Sequence, residues 1–172
     1  IRRFAKNNGE LVVVLDRTPF YAESGGQIGD IGTIKGEGVD LEVIDVQKDN
    51  DVFIHICQGT IETKIDSVRC EVDEKNRESI KKNHTATHLM HRALKSVLGD
   101  HVNQAGSLVH PDYLRFDLTH FEKITTEEII EIEKLVNEQI LLNTKLDVSI
   151  QTFDDAKEAG AEALFGEKYD DE

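Results

Sequence analysis

The sequence predicts an α+β protein: a small β-barrel subdomain over residues 1–73, followed by an α+β half over 74–172. Three observations carry this reading. Short apolar runs separated by glycine-rich turns fill the first part, as closely spaced short strands do. From Glu74 to Leu98 there is neither Gly nor Pro, and buried-type positions recur at three- and four-residue steps, the helical period. Further on, Thr125-Thr126-Glu127-Glu128 has the spacing of a helix capping box.

Taken in order, residues 11–15 form a Val-rich apolar run too short for an independent helix, so a buried strand is expected. Residues 16–32 hold Pro19, Gly25, Gly26, Gly29 and Gly32 and read as turns. Residues 39–46 alternate, with Val39, Leu41, Val43 and Asp45 on one face and Glu42, Ile44 and Val46 on the other. Residues 52–56 alternate again, and Gln58-Gly59 reads as a turn. The 74–98 helix is expected to bury Ile80, His84, Thr87, His91, Leu94 and Leu98, and to stop at Gly99. A hairpin follows over 102–117, turning at His110-Pro111-Asp112. Behind Thr125, Ile129, Ile132, Val136 and Ile140 should form the buried stripe of a second helix. Residues 146–152 are a strand candidate, and 154–164 a short helix.

Composition narrows the function classes. A chain of 172 residues can bury a real core. No run approaches the roughly 18 apolar residues that span a bilayer, and the opening Ile1-Arg2-Arg3-Phe4 does not read as a signal peptide. The only Met is Met90, so an excised piece of a longer chain is expected. Cys57 and Cys70 are the only cysteines; they read as free thiols of a reducing compartment. The net charge of −14 argues against tight, non-specific nucleic-acid binding. Holding only the tip of a polynucleotide, gripped elsewhere by a larger protein, is compatible with it.

The sharpest chemical feature is His84-Thr85-Ala86-Thr87-His88. Imidazoles at i and i+4 on a helix can share one divalent metal, most naturally zinc, although such pairs also arise without one. A zinc protease would place Glu directly after the first His; Thr85 stands there. His91, near one turn beyond His88, can approach the same site. Pro19-Phe20-Tyr21-Ala22-Glu23-Ser24-Gly25-Gly26-Gln27 reads first as a tight β-turn and second as a place where backbone approaches a ligand. Gln104 in Gln104-Ala105-Gly106-Ser107 would lie beside the histidines if its strand packs on their helix; a solvated turn is the simpler alternative. Arg115 sits in a strand pattern, where a charge commonly faces outward.

These segments together resemble the editing region of alanyl-tRNA synthetases. The resemblance is carried, in order and spacing, by residues 18–27, 83–89, 104–107, 114–117 and Ala163-Leu164-Phe165-Gly166-Glu167-Lys168-Tyr169. It implies a β-barrel subdomain (1–73) and an α+β editing core (74–172, C-terminally truncated). That core is shared with free-standing alanyl-tRNA editing proteins and, in part, with the threonyl-tRNA synthetase editing domain. It implies hydrolysis of the ester of mischarged seryl- or glycyl-tRNA(Ala), within a cytoplasmic parent that attaches alanine to tRNA using ATP. The implied partners are the tRNA(Ala) acceptor end and the rest of that parent, with no membrane.

The implied cofactor is one zinc, with His84 and His88 as the first pair of ligands and a Cys-x3-His pair beyond Glu172. Gln104 matches the family glutamine linked to editing, and Gly25 and Gly26 match its glycine-rich motif. Gln27 and Arg115 fall within matching segments as expected substrate contacts. The competing readings are a non-catalytic module that positions the acceptor end and an unrelated metal hydrolase.

Overall fold

In the computed structural model, residues 1–7, 10–62, 65, 67–145 and 149–160 are described. The β-rich part is one antiparallel sheet of six strands: β1 (Arg3–Asn7), β2 (Glu10–Val14), β3 (Gly32–Gly36), β4 (Val39–Asp49), β5 (Val52–Ile61) and β6 (Arg69–Val72). Their order is β1-β2-β5-β4-β3-β6, which leaves β1 and β6 as edges. The expected barrel is therefore corrected to an open sheet. Its edges are short: β1 and β6 offer five and four residues, against eleven and ten in the central β4 and β5.

The apolar face of this sheet makes the first core. Val13, Ile34, Val43, Val46 and Cys57 are all 0% exposed. Two local expectations change. Ile44 is the extra residue of a bulge between Val43 and Asp45, which shifts the side-chain phase by one. Val46, rather than Asp45, therefore joins Val39, Leu41 and Val43 in the core. Gln58-Gly59 is no turn, because β5 continues through it to Ile61. Gly59 has φ +129, and a Cβ there would stand 2.1 Å from the Asp40 carbonyl oxygen. Close approach of β4, not chain reversal, calls for this glycine.

The molecule divides into two compact units, Ile1–His84 with Leu108–Leu114, and Thr85–Ser107 with the described residues from Arg115 onward. The helix α1 (Glu74–Leu98) has the expected bounds, and Gly99 stops it with φ +112. Its stripe is as expected: Ile80, Thr87, His91 and Leu94 are buried, and His84 and Leu98 half-buried.

The second unit has its own core of Ala93, Leu94, Val102 and Ile132, with Phe116, Leu118, Leu135 and Val136 packed against it. β7 (Gln104–Val109) and β8 (Leu114–Leu118) pair as the expected hairpin, closed by the His110 amide donating to the Tyr113 carbonyl. α2 (Thr126–Leu142) begins with the full capping box: Thr125 and Glu128 each accept from the other's backbone N–H. Its buried stripe is narrower than expected. Ile132 is buried, but Ile129 and Ile140 are 45% and 52% exposed, since the cluster meets only the middle of the helix. α3 (Phe153–Glu158) overlaps the first part of the expected 154–164 helix, starting one residue earlier and ending at Glu158. No strand forms over 149–152, and 146–148 and the motif at 163–169 lie outside the described residues. No described helix is long and apolar enough to cross a membrane.

Candidate functional site

Ser24 and Gln27 bond each other's backbone, the Ser24 amide to the Gln27 carbonyl at 3.1 Å and the reverse at 2.9 Å. Gly25 and Gly26 between them have φ +57 and +82, the left-handed pair that a type I′ turn demands and that glycine supplies without strain. The motif is thus a tight turn, as the residues suggest. It is also tied down: the Val109 amide donates to the Gly26 carbonyl at 2.7 Å, and Ile28 donates back to Val109 at 3.3 Å.

That anchoring places the Gln27 side chain against α1. Nδ1–H of His84 donates to Oε1 of Gln27 at 2.7 Å, which makes Nε2 the lone-pair nitrogen of the neutral ring. One residue earlier, the Asn83 amide donates to the carbonyls of His110 and Pro111 at 2.7 and 3.1 Å. Glycine turn, hairpin turn and α1 therefore meet at residues 83–84.

Two buried polar groups hold the approach to this turn, and sequence reasoning missed both. Asp30 is 1% exposed. Its Oδ2 accepts from the Tyr21 amide at 2.6 Å and from Nη2 of Arg77, while Nε of Arg77 donates to Oδ1 at 3.3 Å. Nη2 also donates to the Pro19 carbonyl at 2.7 Å. The hydrogen bond to Asp30 raises the Arg77 pKa, and a buried carboxylate needs such a partner.

His55, 0% exposed, is the second anchor. The Thr18 hydroxyl oxygen accepts from the Phe20 amide at 3.1 Å and donates to Nε2 of His55 at 2.7 Å. Nδ1–H donates to the Val13 carbonyl at 3.0 Å. Burial pushes the His55 pKa down, against a smaller upward pull from the Val13 bond. Asp30 was hidden among turn-forming residues, and His55 inside an alternating strand; neither pattern marks a buried polar anchor.

The other expected site residues have these places. His88 is exposed on α1. His91 is 8% exposed and packs its ring 5.1 Å from that of Phe116, a core position. Gln104 donates to the Ser107 hydroxyl at 3.1 Å. Arg115 faces outward and pairs with Asp117, Nη2 to Oδ2 at 3.1 Å. Cys57 and Cys70 are free; burial pushes the Cys57 thiol up to about 12, which keeps it neutral.

A structural zinc takes four protein ligands. α1 carries His84 and His88, and no group of three or more His, Cys, Asp or Glu suited to a metal occurs among the described residues. The Gln27 contact on His84 is nevertheless the kind of outer bond that fixes tautomer and orientation in metal-ligating imidazoles.

Residues 2–76 match the family model described as tRNA synthetases class II (A). The chain is 52% identical over 171 residues to the alanine–tRNA ligase of Acetivibrio thermocellus, covering 97% of this chain and 19% of that protein. It is 53% identical over 163 residues to the alanine–tRNA ligase of Pseudoalteromonas translucida, covering 94% and 19%. It is 53% identical over 166 residues to that of Halalkalibacterium halodurans, again covering 94% and 19%. The chain thus spans about a fifth of the length of the curated relatives it matches.

Proposed function

Because this chain belongs to the alanyl-tRNA synthetase family, as a region of it, we propose that it performs hydrolytic editing. It removes serine or glycine wrongly esterified to tRNA(Ala), inside a cytoplasmic parent that attaches alanine with ATP. The observation that carries the reading is the Gln27–His84 hydrogen bond. It joins a glycine turn, a chain type that lets backbone approach a ligand closely, to the helix that bears the His-x3-His pair.

The need for such an activity is physical. A pocket built for alanine discriminates poorly against molecules that differ by one small group, so a second, hydrolytic site is required for accuracy. Aminoacyl esters are already reactive, and their cleavage needs mainly placement and charge stabilisation.

In this reading His84 and His88 hold a zinc ion together with ligands from outside the described residues. When bound, zinc supplies Lewis acidity and a fixed positive charge near the ester. Gln27 keeps His84 in the tautomer whose Nε2 carries the lone pair. Gly25 and Gly26 let the terminal ribose approach backbone, Gln104 hydrogen-bonds the aminoacyl group or orients water, and Arg115 contacts the acceptor end.

The test is deacylation of seryl-tRNA(Ala) by the full-length ligase with His84→Ala, His88→Ala or Gln104→Ala. A fall in hydrolysis with alanine attachment retained supports editing. Unchanged hydrolysis in all three overturns it in favour of a module that only positions the acceptor end.

A further inference from the structure

Within the first unit, the loop from Asp16 to Tyr21, the start of β5 and the first half of α1 line a cleft of 1020 Å3. Its wall includes Arg17, Tyr21, Gln27, Phe53 and Lys81. For a chain of net charge −14, this pairing of cations with aromatic rings is out of character, and it selects a ligand class. Arg17 is exposed and forms no ion pair with a described residue, whereas Arg77, on the same wall, is committed to buried Asp30. Among the described residues Lys81 pairs with Glu78 alone, at 2.5 Å and more than half exposed, a contact that an anion readily replaces.

Tyr21 is 39% exposed, and its hydroxyl donates to the Ser24 carbonyl at 3.2 Å, so the ring is held in place beside the glycine turn. Asp16 and Asp51 share the wall and oppose dense negative charge. A phosphodiester, with one charge per nucleotide, fits better than a free nucleoside triphosphate. Gln27 lines the cleft and is bonded to His84, so the cleft adjoins the candidate site.

We infer that this cleft binds single-stranded RNA just upstream of the esterified nucleotide, stacking a base on Tyr21 and contacting phosphate with Arg17 and Lys81. Aromatic stacking combined with cationic side chains is the general means of holding single strands. The inference rests on the editing reading and names the part of the substrate that the cleft holds.

The experiment uses the full-length ligase and compares wild type with Arg17→Ala, Arg17→Lys, Lys81→Ala, Tyr21→Ala and Tyr21→Phe. For seryl-tRNA(Ala) hydrolysis, KM should rise about tenfold in Arg17→Ala and Tyr21→Ala, with kcat changed less than about twofold. The dependence of log KM on log salt should flatten by about 0.7 for each phosphate contact removed. Arg17→Lys should restore the salt slope and Tyr21→Phe the affinity.

Unchanged KM and salt slope in an enzyme that deacylates would overturn the cleft and leave editing standing. If wild type does not deacylate, the editing reading fails instead. The cleft is then judged by anisotropy with a labelled short single-stranded RNA ending in adenosine. Weaker binding by Arg17→Ala and Tyr21→Ala supports it, and equal binding overturns it.

Discussion

Nδ1 of His84 and Oε1 of Gln27 lie 2.7 Å apart, 57 residues apart in the chain. Each belongs to a separate motif, one a helix and the other a glycine turn. Their hydrogen bond orients an imidazole, and it makes the state of the turn felt at the helix.

Replacing Gln27 by Ala should therefore act through His84. Loss of such an outer contact typically lowers metal affinity or activity by about 10- to 100-fold. Zinc content and seryl-tRNA(Ala) hydrolysis of the full-length Gln27→Ala ligase measure it. Both remaining at wild-type level would show the contact to be incidental.

Arg77→Ala should destabilise the first unit strongly, because Asp30 at 1% exposure would lose the guanidinium that satisfies it. Breaking a buried pair from one side costs about 3 kcal/mol. The midpoint of urea unfolding should fall accordingly, with an unchanged slope. The double variant Arg77→Ala with Asp30→Asn should recover part of the loss.

His55 predicts a pH dependence. Its folded pKa lies below the ordinary value of 6.5, so between the two values the unfolded chain binds more protons and stability rises with pH. The neutral ring's contribution is whole above about pH 6.5 and is lost as pH falls toward the folded pKa, by up to about 1.4 kcal/mol per pH unit. Unfolding free energy measured from pH 7.5 to pH 5, in about half-unit steps, should show this slope. His55→Gln should flatten it.

Gly59→Ala should be among the most damaging single-methyl changes in the sheet. The added Cβ would stand 2.1 Å from the Asp40 carbonyl oxygen, at φ +129. Backbone on both sides must move, at a cost of about 3 kcal/mol. Gly160→Ala, with no described residue within 4 Å, should cost about 1 kcal/mol, from backbone strain. Thermal unfolding of the two variants separates the effects.

Much of this molecule was legible one residue at a time. The α1 bounds, the Gly99 stop, the capping box at Thr125 and the hairpin turn at His110 are local events, decided within a few residues by periodicity, caps and turn chemistry. The Gly25-Gly26 turn was readable for the same reason. What failed was non-local. The bulge at Ile44 exists only against β5, and the close approach at Gly59 only against β4. The edge strands β1 and β6 carry too little apolar pattern to announce themselves, and Ile129 and Ile140 look buried until the extent of their partner surface is known.

The sequence by itself marked His84 and His88 as candidates, because helical spacing needs no partner to be read, and Gln27 and Gln104 only through the resemblance of their segments. The tertiary structure alone decided which of them meet. Gln27 reaches His84, Gln104 turns to Ser107, Arg115 to Asp117, and His91 joins the core beside Phe116. It also decided that Asp30, Arg77 and His55 hold the approach to the site. A buried polar group is recognised by what surrounds it, and much of what surrounds these comes from far along the chain, such as Thr18 for His55 and Arg77 for Asp30, 37 and 47 positions away.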